Sequence, residues 1–143
     1  MKNNNQHTKA FLIHISAFAG FIFPFGHIIT PLIAWQTLKN RSPFLDTQGK
    51  EALNFNLSYT LYAFILTLGF IPLILGFFLT NFHNANNFHL NFDVSNQYLF
   101  GFMGLGTVTG IVYLIGIALV IIAALKAKDG ENYTYPFTIK FIK

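Results

Sequence analysis

Three stretches of the chain contain no Asp, Glu, Lys or Arg: Ala10–Leu38, Ala52–Phe92 and Val94–Leu125. Each is longer than the roughly 20 residues that cross a bilayer's hydrocarbon core. The chain has 143 residues, of which 53% are hydrophobic and 10% charged. A soluble domain carries about 25% charged residues, and one of this size could not hide so much apolar surface. One charge at the centre of a membrane helix costs about 2.5–3.5 kcal/mol, whereas a Leu or Phe returns only about 0.3–0.6. The missing charges therefore weigh more than the abundant Phe. They point to an all-α, polytopic helical membrane protein with one membrane domain, residues 10–126. A flexible polar start (1–9) and an interfacial or cytoplasmic tail (127–143) flank it.

The first stretch is the ambiguous one. As a continuous helix it would run about 43 Å. Pro24-Phe25-Gly26 interrupts it and Pro31 follows. Either half would be about 20 Å, shorter than a core of about 30 Å. It is either one tilted, kinked span, giving three transmembrane segments, or a helical hairpin, giving four helical pieces. Ala17-Phe18-Ala19 mimics a signal-peptide cleavage site. However, Ala10–Ser16 is too short for the apolar region such a peptide needs, so the segment is expected to be retained.

Segment two is expected from about Thr47 to Thr80, with Asp46 or Thr47 capping its start. Glu51 near that start suits the helix dipole, and Pro72 is expected to kink the second half. Thr47, Glu51, Asn54, Ser58 and Tyr62 recur at steps of three and four, which places a polar stripe on one face. That stripe should turn towards other helices rather than lipid. An Asn-rich connection, 81–97, holds His83 and His89. Segment three, about Tyr98–Lys126, carries Gly106 and Gly110 as a small-xxx-small pattern that permits close helix approach. In the tail, Tyr133, Tyr135, Phe137, Ile139 and Phe141 alternate with Thr134, Pro136, Thr138 and Lys140. A period of two predicts an extended, half-buried segment lying along the membrane interface.

Basic residues set orientation. The 39–51 connection has Lys39, Arg41 and Lys50, and the tail 126–143 has Lys126, Lys128, Lys140 and Lys143, whereas 81–97 has none. The first two are expected in the cytoplasm and the third outside, in a bacterial inner membrane. Three spans would then put Lys2 and Lys9 outside, a conflict that the hairpin removes.

Chemistry is sparse. The absence of cysteine excludes disulfides, thiol catalysis and thiolate metal sites. The net charge of +4 sits at the ends of apolar stretches, which suits orientation rather than nucleic-acid binding. His14 and His27 could ligate haem or a metal, but 13 residues at 100° place them about 140° apart around a straight helix. Bonds to neighbouring carbonyls, or a place near an interface, are the expectation for both. Asp46, Lys50 and Glu51 read as helix-end charges rather than an acid–base pair, and Asn54 and Ser58 as cross-helix bonds rather than a wet path. No glycine arrangement suits phosphate binding. No catalytic residue, metal, cofactor or small-molecule ligand is expected.

The residues His14-Ile15-Ser16-Ala17-Phe18-Ala19-Gly20, Pro24-Phe25-Gly26-His27, Ser42-Pro43-Phe44, Gln48-Gly49-Lys50-Glu51-Ala52-Leu53-Asn54-Phe55, Lys126-Ala127, Gly130-Glu131 and Tyr135-Pro136-Phe137 run through most of the chain. Together they resemble an uncharacterised bacterial family of small membrane proteins similar to the twenty-kilodalton subunit of the chloroplast Tic translocon. The resemblance implies a helical membrane domain of four helices and hints at translocation or complex assembly. It supplies no catalytic residues. The resulting expectation is a non-enzymatic subunit or scaffold that binds a membrane-protein partner or a second copy. Its structural candidates are Pro24, Gly26, Asp46, Gly49, Lys50, Glu51, Asn54, Ser58, Gly106, Gly110, Tyr135 and Pro136. A small-solute transporter or channel is the alternative, and a haem or metal membrane protein the remote one.

Overall fold

The computed structural model describes residues 2–83 and 96–143. The described residues are helical or irregular, with no strand among them. Most of the Asn-rich connection, His89 included, lies outside the described residues, as does the His83 side chain.

Helix α1 spans Lys2–Ile15 and tightens into a 3-10 turn, Ser16–Phe21. The polar opening residues thus supply the first turns of a helix. Helix α2 follows at Gly26–Leu38. The two run antiparallel. Ala34 and Leu38 pack on the cluster holding Ala10 and Ile13, Thr30 Oγ1 donates to the Ser16 carbonyl, and Gly26 abuts the Ala19 backbone. The first apolar stretch is therefore a helical hairpin, and the single kinked span is not formed. The cause is local. Phe25 adopts a left-handed φ of 61° before α2. A Cβ at Gly26 would overlap the Ala19 carbonyl, so only glycine lets the chain double back so closely.

Helix α3 spans Pro43–Leu68 and α4 spans Phe70–His83. Ser42, in an extended conformation, caps α3: its Oγ accepts from the Leu45 amide at 3.2 Å. Pro43 takes the first helical position, where no amide hydrogen is needed. The cap is thus Ser42 rather than Asp46 or Thr47. The break in the second apolar stretch falls at Gly69. Pro72 has no N–H to give the Leu68 carbonyl, and its ring crowds that carbonyl, so the ladder stops there. Pro72 then sits in the first turn of α4. Helix α5 spans Asn96–Lys128. A turn with Gly130 at φ 83° leads into the irregular tail.

Two compact units emerge. One comprises residues 1–60 and 115–143, the other residues 61–114. In the first, Ala10, Ile13, Leu45, Ala52 and Ala127 form one buried cluster. Ala17, Phe55, Val120, Ala123 and Tyr135 form another. Tyr59 lies against Gly116, which has no side chain to hold it off. In the second unit, Leu73 packs on Gly101, Phe70 on Phe102, and Phe77 edge-on to Tyr98.

The α3–α4 stretch 43–81 and α5 are long and apolar enough to cross a bilayer. None of the most apolar window of 43–81 is buried within the protein. A core helix of a soluble domain would bury that window. Phe64, Ile65, Ile71, Leu75 and Leu79 are instead exposed, as lipid-facing side chains are.

Gly106 and Gly110, expected to seat a neighbouring helix, have open space around them among the described residues. The close approaches along α5 occur at Gly101 and Gly116 instead.

Candidate functional site

The polar groups of the first unit converge on the tail. The stripe on α3 was expected to face other helices. Instead, Glu51, Asn54 and Ser58 grip residues 139–142. The Ile142 amide donates to Asn54 Oδ1 at 2.8 Å, and Asn54 Nδ2 donates to the Ile142 carbonyl at 2.9 Å. The Ile139 amide donates to Ser58 Oγ at 2.8 Å, and that hydroxyl gives its own hydrogen to the Asn54 carbonyl at 2.7 Å. Lys140 pairs with Glu51 Oε1. Two side chains thus satisfy backbone groups as a neighbouring strand would, without a sheet. At the stripe's ends, Thr47 bonds back to the Pro43 carbonyl, and Tyr62 belongs to the other unit.

A second knot lies nearer the start of α3. His14, Gln48 and Tyr135 are buried. Gln48 Nε2 donates to the Glu131 carbonyl at 3.3 Å and to Asn132 Oδ1 at 3.1 Å. Its Oε1 is thereby turned towards His14 Nε2, 2.8 Å away. That nitrogen must carry the imidazole hydrogen, which leaves Nδ1 to accept from the Tyr135 hydroxyl at 2.9 Å. Tyr135 stacks on Phe55 with ring centroids 4.1 Å apart. Both nitrogens of His14 are therefore used in joining α1, α3 and the tail. His27 Nε2 bonds to Thr60 Oγ1 at 2.8 Å. Among the described residues no group of His, Cys, Asp or Glu is arranged to hold a metal.

Burial pushes the Tyr135 phenol well above its ordinary 10.0, with the nearby Tyr133 and Glu51 adding to the effect. The unfolded chain ionises first, so the tail's docking is fully stable below about pH 10 and weakens as pH rises towards the folded value. Phenolate absorbance in detergent should show a late-titrating component, and Tyr135→Phe should remove it. If all tyrosines titrate together, the burial argument fails.

The third cluster surrounds Trp35. Its Nε1 donates to Asp46 Oδ1 at 2.8 Å, while Lys50 pairs with Asp46 Oδ2 at 2.7 Å. Lys39 stands 5.1 Å over the indole ring. The ring lies directly on Gly49, where a Cβ would overlap Cδ1. Asp46 and Lys50 thus hold the α2–α3 connection, and Gly49 makes room for it.

The tail is irregular rather than evenly alternating. Tyr135 points inward, but Pro136 and Phe137 form a turn with Phe137 at φ 56°. That turn shifts the register, so the half-buried positions beyond it are Thr138 and Ile142, while Phe137, Ile139 and Phe141 face outward. Pro24 occupies the hairpin turn and Gly26 its closest approach. The site residues missed in the sequence are Gln48 and Trp35, whereas His14, expected to bond neighbouring carbonyls, bonds side chains of α3 and the tail instead. Gln48 neighbours the stripe at Thr47 and Glu51, which is the signal that could have included it.

The family model described as the magnetosome magnetite crystal formation protein family, MamF/MmsF, matches residues 5–142. The chain belongs to that family. No curated protein matches it, and no solved structure does.

Proposed function

We propose, from membership in the magnetosome magnetite crystal formation family, that this chain is a non-enzymatic integral membrane subunit or scaffold serving crystal formation at a membrane. The observation that carries the reading is the family match across residues 5–142. The chemistry of the chain supports it. His14, Gln48, Asn54 and Ser58 are engaged in holding its own tail, and its apolar stretches contain no Asp, Glu, Lys or Arg for ion coupling. That weighs against a transporter. The occupied ring nitrogens of His14 weigh against an axial haem ligand. The matched family concerns magnetosomes rather than translocons, and translocation is not part of the proposal. A membrane partner or a second copy would approach the open Gly106–Gly110 side of α5.

Expression in a magnetite-forming bacterium that lacks its own family member tests the role. Electron microscopy should show crystal size or number restored. A stably inserted chain that restores neither would overturn it.

The proposed topology is multi-pass in the inner membrane, with 39–51 and 126–143 cytoplasmic and 81–97 outside. The antiparallel hairpin, with Thr30 bonded to the Ser16 carbonyl and Gly26 against Ala19, returns the chain to the side it came from, which keeps the amino terminus with the basic 39–51 connection. Asn4→Cys should resist an impermeant thiol reagent in intact cells and react after lysis. The natural lack of cysteine makes the background clean. Labelling in intact cells would reverse the assignment.

A further inference from the structure

The hairpin's closed end is unusually apolar for a turn. Phe21, Ile22 and Phe25 are 61%, 85% and 63% exposed, and no polar side chain lies between Phe21 and Gly26. Leu12, Ile29 and Ile33 continue the exposed apolar surface down its flanks. Turns in water commonly combine Gly and Pro with Asn, Asp or Ser; this one has Pro24 and Gly26 but only apolar side chains beside them, which suits an apolar surrounding. The open end is the opposite: Lys9, Lys39 and Arg41 stand there, at the margins of a stretch with no charge at all.

Length fixes what can surround it. With 13 residues, α2 is about 20 Å long. A bilayer core is about 30 Å thick, so one leaflet of it is about 15 Å. At about 20 Å the hairpin is longer than one leaflet and shorter than the core, so it fits one leaflet when tilted and falls short of crossing. Its basic open end fits the anionic headgroups of the leaflet it enters from, and its apolar tip fits the acyl chains.

We propose that the α1–α2 hairpin is a one-leaflet wedge that bends the membrane. Two helices inserted from one side add more area to that leaflet than to the other. The bilayer relieves the mismatch by curving convex towards the side of insertion, as interfacial helices do when they respond to curvature. The Gly26–Ala19 contact holds the two arms as one body, so the added area cannot be lost by the arms spreading apart across the core. The inference rests on the membrane reading above and not on any role in crystal formation.

The test inserts the full chain into preformed giant vesicles of phosphatidylcholine and phosphatidylglycerol. The wild type should draw out tubules and small vesicles as its surface density rises. The variant Ile22→Ser/Phe25→Asn should lose most of that activity while keeping its helical circular dichroism, since Asn accepts the left-handed conformation at position 25. Vesicles that stay spherical with the wild type, or a variant that bends them equally, would overturn the proposal. A second measurement does not depend on the double variant folding. A spin label at Ile22→Cys in flat bilayers should collide more with dissolved oxygen than with a water-soluble nickel chelate. The opposite preference would place the tip in water and end the wedge reading, whatever the outcome in the magnetite-forming host.

Discussion

Gly49→Ala is expected to lower stability by about 1–3 kcal/mol, at the upper end of the range for overpacking a tight contact. The added methyl would occupy the position of Trp35 Cδ1 and overlap Cγ and Cβ as well. The indole cannot simply turn away. Its Nε1 is bonded to Asp46, and Lys39 lies over its face. The α2–α3 connection must therefore move as a whole. Trp35 is the only tryptophan, so its fluorescence reports on the contact directly. A thermal midpoint in detergent should fall and the emission should shift. Trp35→Phe makes room for the methyl, so the double variant should be less destabilised than the two single losses summed. Strict additivity would show that the two residues do not meet.

Gln48→Leu should cost a similar amount for a different reason. The substitution keeps the volume but strands the His14 Nε2 hydrogen in a buried site, and a buried unsatisfied donor costs about 1–3 kcal/mol. It also removes both bonds to Glu131 and Asn132, which hold the start of the tail. Hydrogen exchange should rise at the amides of Ile139 and Ile142, further along the same tail. Adding His14→Phe removes the stranded donor, so part of the loss should return. If Gln48→Leu leaves both stability and tail exchange unchanged, the knot does not hold the tail.

The helices were largely legible from charge and apolar content alone, because lipid exposure rewards long uncharged runs and punishes every charge within them. The ends of α5 and the break in the second stretch followed from local residue chemistry, although the break fell at Gly69 rather than at Pro72. The hairpin was legible only as one of two options. Pro24-Phe25-Gly26 breaks a helix either way, and what decides is whether Gly26 has a backbone to meet. The polar stripe was visible through its spacing, but its partner was not. Asn54 and Ser58 bond to main-chain atoms more than eighty residues away, and main-chain groups leave no trace in residue identity. The tail's period of two misled for a related reason: the left-handed residue Phe137 shifts the register, so that Thr138 and Ile142 turn inward and Ile139 and Phe141 outward.

Those long separations bear on timing at the ribosome. His14 meets Tyr135 across 121 positions, and Asn54 meets Ile142 across 88. At about 5–20 residues per second, the polar face of α3 waits on the order of ten seconds for its own tail to be synthesised. During that interval Gln48, Asn54 and Ser58 are open polar groups beside the bilayer, next to a helix already entering it. Whatever escorts this nascent chain meets a surface that the finished protein no longer presents.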